Sequence, residues 1–172
     1  MLDHATAERI ARDYVGATGP LIRLGWCIGG FVYLSPDGRT AVKVHRHEEG
    51  FLNEVEAYFR LRRVRTSQVH GVTIPKVHDE RFDLKLIRMD FVTPPFLVDF
   101  AGVQFHPPDF PPDTLALWHE NIDNMFGPNA HLAWAVYSAL TQHGIWYTDL
   151  HPRNLWLEKH PEYQPMPSED PE

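Results

Sequence analysis

The chain has 172 residues, 43% of them hydrophobic, and a formal net charge of −7. That length suits one domain with a real core, and no apolar run reaches the roughly 18 residues that a membrane span needs. The acidic balance argues against a general nucleic-acid binder.

A single cysteine, Cys27, excludes an internal disulfide. With no secretory-type start at Met1 to His4, it points to a reducing, cytoplasmic setting. Ala5 to Val15 reads as a helix, because Ala7, Ile10, Ala11 and Tyr14 recur at helical spacing. Gly16 and Gly19-Pro20 end it. Leu21 to Leu34 reads as two strands around a glycine-containing turn. Ser35-Pro36-Asp37-Gly38 is a tight hairpin signal, and Ala41 to Val44 is the next strand. Phe51 to Val64 is a helix with Phe51, Val55 and Tyr58 along one stripe. The cluster Arg60, Arg62, Arg63 and Arg65 reads as its solvated face. Val72 to Pro75 and Leu84 to Val92 are two more strands. Pro94-Pro95, Pro107-Pro108 and Pro111-Pro112 then break the chain into loop, with a short strand expected at Val103 to Phe105. Asp113 is expected to cap a helix bearing Leu115, Trp118, Ile122 and Met125, closed by Gly127. Asn129 is expected to cap another bearing Leu132, Val136, Leu140 and His143, closed by Gly144. From Lys159 onward the chain is proline-rich and acidic and is expected to fray. Strands fill the first half and helices the second, which predicts an α+β fold with two lobes.

The most specific stretch is Tyr147-Thr148-Asp149-Leu150-His151-Pro152-Arg153-Asn154, after a helix ending in His143-Gly144-Ile145. It resembles the catalytic loop of the protein-kinase-like superfamily, D-x-x-x-x-N. There the Asp accepts the proton of the attacking hydroxyl and the Asn holds a Mg²⁺. The resemblance runs from about Leu21 to Leu157. Leu24-Gly25-Trp26-Cys27-Ile28-Gly29-Gly30-Phe31-Val32 looks like the glycine-rich loop, with Gly25, Gly30 and Val32 on motif positions and Cys27 in place of the second glycine. An ordinary hairpin with bulge glycines would use the same residues. Ala41-Val42-Lys43-Val44 is similar to the V-A-I-K strand, whose Lys contacts phosphates. Asn53-Glu54-Val55-Glu56-Ala57 resembles the E-x-x of the kinase regulatory helix. Glu54 shares a face with Phe51, Tyr58 and Leu61, so its carboxylate needs a cation, with Lys43 the candidate. Glu56 is a possible substitute. Ile74 to His78 and Leu86 to Val92 look like the strand pair leading to the hinge. Met89 then falls behind the adenine, and the backbone from Asp90 to Val92 along its edge.

The resemblance implies a kinase-like domain: an N-terminal helix (1–20), a β-rich N-lobe (21–92), a hinge with a reduced helical C-lobe (93–158) and a tail (159–172). It implies ATP and Mg²⁺ as cofactors. Asp149, Lys43 and Glu54 are the catalytic set. Gly25, Gly30, Val32, Ala41, Lys43, Met89, Asp90 and Val92 line the nucleotide, and Asn154 holds metal. His151-Pro152 is closer to the aminoglycoside and choline kinases than to protein kinases. The acceptor stays open among a protein hydroxyl, an amino sugar and a lipid-linked sugar.

Two departures stand out. The family expects an Asp-Phe-Gly after the catalytic loop, and no such tripeptide occurs. Asp170 is the one later carboxylate at a suitable distance for metal. Thr148 replaces the Arg that pairs with an activation-loop phosphate. A pseudokinase, binding nucleotide or acting as a scaffold without turnover, is therefore the alternative. The family's large C-terminal helices are also missing, so the Trp134 and Tyr137 face is expected to be bare, self-associated or covered by a protein partner. A third reading takes His45 and His47, on one face of a strand, as metal ligands.

Overall fold

The computed structural model describes residues 2–27 and 29–157. Helix α1 (His4–Val15) begins where the Asp3 carboxylate accepts the Thr6 N–H at 2.8 Å, and ends at Gly16 in the left-handed region. Strands β1 (Ile22–Cys27), β2 (Gly30–Leu34) and β3 (Thr40–His45) follow as an antiparallel meander. A turn at residues 35–38 joins β2 to β3, with the Gly38 N–H donating to the Ser35 carbonyl and φ of 65° at Gly38. The Asp37 carboxylate accepts from the Arg39 and Thr40 N–H groups, the Thr40 hydroxyl and Arg88. Those bonds, led by the Arg39 N–H, hold its carboxyl down at about 2.

Helix α2 (Glu48–Arg63) is followed by β4 (Gln68–Val69), β5 (Val72–Thr73), β6 (Val77–Arg81), β7 (Leu86–Asp90) and β8 (Phe96–Leu97). A 3-10 turn, Phe100–Gly102, leads toward α3 (Pro112–Phe126); a second, Gly127–Asn129, joins α3 to α4 (Ala130–Thr141), and β9 (Leu155–Trp156) follows. One antiparallel sheet runs β1-β2-β3-β7-β6, and a small second sheet runs β4-β5-β8-β9. The architecture is α+β, with the antiparallel sheet in the N-terminal part and α3 and α4 following. Among the described residues, no helix is long and apolar enough to cross a membrane.

Several expected boundaries move. The Val103–Phe105 strand is reduced to one isolated bridge, Gln104 to Trp146. Asp113 lies inside the first turn of α3 and does not cap it, because Pro111 takes the cap position and Pro112 opens the helix. Asn129 sits at the cap of α4 but makes no side-chain capping bond. The strands β4 and β8 are two residues long, too short for any periodicity to mark them.

Strand β3 is buried along its whole length. Because side chains alternate, its two faces serve different layers. Val42 and Val44 join Ala7, Ala11, Phe31, Tyr33 and Leu86 in an apolar cluster beneath α1. Ala41 joins the larger core on the opposite side, with Phe51, Ala57, Tyr58 and Leu61 of α2 and Val136 and Leu140 of α4. Lys43 and His45 share that second face.

Candidate functional site

The period of β3 aims Lys43 at α2, and the period of α2 puts Glu54 on the same stripe as the buried Phe51, Tyr58 and Leu61. Lys43 is 2% exposed and Glu54 0%. Two buried charges of opposite sign are tolerated only when paired. The Lys43 ammonium donates to Glu54 Oε2 and, at 2.6 Å, to Asp99 Oδ1. Glu56 is not in this pair; it accepts from the Arg60 side chain at 2.7 Å at the helix surface.

Asp99 is the residue that sequence reasoning missed. It follows β8, and its backbone is left-handed, with φ 64° and ψ 70°. Asp adopts that region more readily than most residues, yet a non-glycine residue held there needs surrounding support. The support is visible. The buried Tyr147 hydroxyl donates to the carbonyls of Val98, at 2.7 Å, and Asp99, at 2.9 Å. The Val98 N–H donates to the Asn154 carbonyl at 2.9 Å, continuing the pairing of β8 with β9. Phe100 is fully buried between Tyr58 of α2, 5.0 Å away, and Tyr147, 5.5 Å away, edge-on to both. An aromatic column thus ties α2, the Asp99 turn and the catalytic-loop candidate together. The available signal was Leu97-Val98-Asp99-Phe100-Ala101-Gly102, one residue longer than Asp-Phe-Gly and placed ahead of the loop.

The loop brings Asp149 and Asn154 alongside. Asn154 Nδ2 lies 3.3 Å from both the backbone oxygen and Oδ2 of Asp149. Gly102 passes close by: a Cβ there would stand 3.6 Å from that of Asp149. Partial desolvation, and then the charge of Asp99, raise the Asp149 carboxyl above its ordinary range. Trp118 of α3 donates to the Thr148 carbonyl at 3.1 Å and so braces the loop from outside. Asp170 lies outside the described residues.

Around the ammonium, Val32 and Leu24 pack on the core that contains Ala41 and Met89. Met89 is also touched by the Tyr58 hydroxyl, 3.5 Å from its sulfur. Gly25 pairs with Val32 at a register shift in β1, where an added Cβ would meet nothing within 4 Å. Gly30 has a different reason to be glycine: a Cβ would come within 2.3 Å of the Val44 carbonyl. In the hinge segment, the Asp90 N–H already donates to Lys76 and the Phe91 N–H to Arg39. The Asp90 and Phe91 N–H groups are thus committed within the protein and not presented to an adenine edge. The Asp90 carboxylate meets His78 at 2.6 Å instead.

The His45 and His47 reading does not match the geometry. His45 ends β3 and faces Glu54, while His47 has left the strand and occupies the cap position of α2. Among the described residues no group of three His, Cys, Asp or Glu is placed to hold a metal. The arginine cluster is only partly solvated, since Arg60 donates to the Gly144 carbonyl and stacks on Phe105. Trp134 and Tyr137 are half-buried against Trp118 of α3, so this chain itself covers much of that face.

No family model matches the chain, and no curated protein matches it. Among solved structures it is similar to one described as the structure of the streptomycin-ATP-APH(2")-IIa ternary complex. Identity is 17% and the TM-score 0.37, over 54% of this chain and 29% of that one. The chain therefore spans less than a third of that protein's length.

Proposed function

We propose that this protein is a kinase-like phosphotransferase that binds ATP with Mg²⁺ and transfers a phosphoryl group to an acceptor hydroxyl. One observation carries the reading: a buried lysine, gripped by a helix glutamate, also meets Asp99, on a turn that Tyr147 ties to the loop bearing Asp149 and Asn154. Lys43 binds the phosphates as a fixed point charge, and Glu54 keeps it aimed. Asp149 orients the acceptor hydroxyl and takes its proton, for which a raised carboxyl is suited. The metal residues would be Asp99 and Asn154, with Asp99 in the role sought at Asp170. This oxygen-only set fits Mg²⁺, which is commonly held by one or two carboxylates and substrate phosphates. When bound, the ion neutralises charge on the phosphate oxygens. The Leu24, Val32, Ala41 and Met89 patch receives the base.

The sparse donor set favours a second reading, nucleotide binding without turnover. Thermal unfolding with ATP, with and without Mg²⁺, tests both when run beside a γ-phosphate release assay. A ligand at about 100 times its Kd stabilises by roughly 2.7 kcal/mol, which at about 2–4 °C per kcal/mol is several degrees. A Mg²⁺-dependent shift that disappears in Asp99→Asn is the expected result. No shift under any condition would remove the nucleotide-site proposal. A shift without turnover on any hydroxyl acceptor would favour the second reading.

A further inference from the structure

His45 ends β3 with its ring fully buried. Its Nε2 lies 2.8 Å from Glu54 Oε2, and its Nδ1 lies 3.1 Å from the Lys85 carbonyl oxygen. As carboxylate and carbonyl, both neighbours are acceptors. A neutral imidazole has one N–H and satisfies one of them. The carboxylate is the stronger acceptor of the two, so the ring N–H goes to Glu54 from Nε2. The same Glu54 oxygen accepts from Lys43, while Glu54 Oε1 is buried without a hydrogen-bond partner among the described residues. Glu54 thus works through one oxygen, gripped by Lys43 and by His45. Asp99 lies on the other side of Lys43. Other charged or titratable groups on the surrounding elements are Arg46 and His47 in the link to α2, Glu48 and Glu49 in its first turn, and Asp83 and Lys85 between β6 and β7. Phe51 covers the ring edge-on at 5.4 Å.

We propose that His45 is a positioning residue of the nucleotide site: its buried ring fixes Glu54, and Glu54 fixes Lys43 for phosphate. The inference rests on the phosphate-binding reading of Lys43. It requires Mg²⁺–ATP affinity to depend on an N–H donor at position 45.

Two measurements test it: calorimetric Mg²⁺–ATP affinity and denaturant unfolding, each for wild type, His45→Gln and His45→Phe. Gln keeps an N–H for Glu54 and Phe does not. The expected result is that His45→Phe lowers affinity by about 5- to 150-fold, the usual span of coupling between two sites, while His45→Gln stays near wild type and both variants unfold cooperatively. Wild-type affinity in His45→Phe, or equal losses in the two variants, overturns the proposal. If wild type binds no Mg²⁺–ATP, the phosphate-site reading falls and the positioning role falls with it. That outcome is distinct from binding that His45→Phe leaves unchanged, which removes the positioning role alone.

Discussion

Val42 and Val44 point from β3 toward α1 and pack among alanine, phenylalanine, tyrosine and leucine, whereas Lys43 and His45, one residue out of phase, point toward α2 and meet Glu54. Both faces are sealed from water to a similar degree, but they do different work. The α1 face stabilises through burial, at about 25 cal/mol per Å² of apolar surface. The α2 face must recover the desolvation of an ammonium and a carboxylate before it contributes anything, and apolar residues of similar volume would often do as well or better. On the proposed reading, a strand with half its buried surface charged is organised for a ligand rather than for stability.

The comparison is broken most severely at the ammonium. Lys43→Met removes the ammonium that Glu54 and Asp99 both meet and should cost about 3–5 kcal/mol in denaturant unfolding. Adding Glu54→Leu should return most of that loss while leaving the protein unable to respond to ATP. If the double variant is no more stable than the single one, the charged face is a net stabiliser and the contrast drawn here is wrong. Next is Asp99→Asn, which keeps the Lys43–Glu54 pair. It should change stability little but lower transfer by about 10²–10³-fold, the range seen when one preorganised charge-stabilising group is lost. On the apolar face, Val44→Ala should cost about 2 kcal/mol from lost burial and a small cavity. Its Mg²⁺–ATP shift should remain that of wild type.

Two pH effects sharpen the picture. Burial and then Asp99 raise the Asp149 carboxyl, so its ionised, proton-accepting form should appear only above the ordinary carboxylate range. Transfer should therefore rise with pH through that raised midpoint. In Asp99→Asn the midpoint, followed by carboxyl ¹³C NMR, should move down because a negative neighbour has gone. The smallest effect belongs to the turn that starts β3. Asp37 is held at about 2 against an ordinary 3.8, so the stability it adds is present above 3.8 and lost as pH falls toward 2. Asp37→Asn should flatten that acid limb of the unfolding curve.

Elements with a long period were legible in the sequence. The α2 stripe of Phe51, Glu54, Tyr58 and Leu61 and the Asp37-Gly38 hairpin follow from spacing and turn chemistry; a carboxylate on that stripe calls for a cation, which with the kinase resemblance made Lys43 the candidate and left Glu56 as the alternative. Asp99 was not legible in the same way. Its strand has two residues, its partner β9 lies far along the chain, and its left-handed backbone is imposed by the Tyr147 hydroxyl rather than by a glycine. Reading the motifs in their familiar order directed attention past Asn154 to Asp170, while the carboxylate that meets Lys43 stood before the loop. His45 and His47 misled for a related reason: alternation was extended beyond the last residue of β3, where the chain had already turned into α2.

Synthesis proceeds from the N-terminus, so Lys43, Glu54 and Asp99 leave the ribosome well before Tyr147 and Asn154. Yet Tyr147 and Asn154 are what clamp Val98 and Asp99 into place. A nascent chain therefore owns its acidic and basic groups early and their geometry late. On the proposed reading, competence for metal and nucleotide arrives only when the last described strand closes against β8, which makes that closure a built-in check that the chain is whole through residue 156 before it engages ATP.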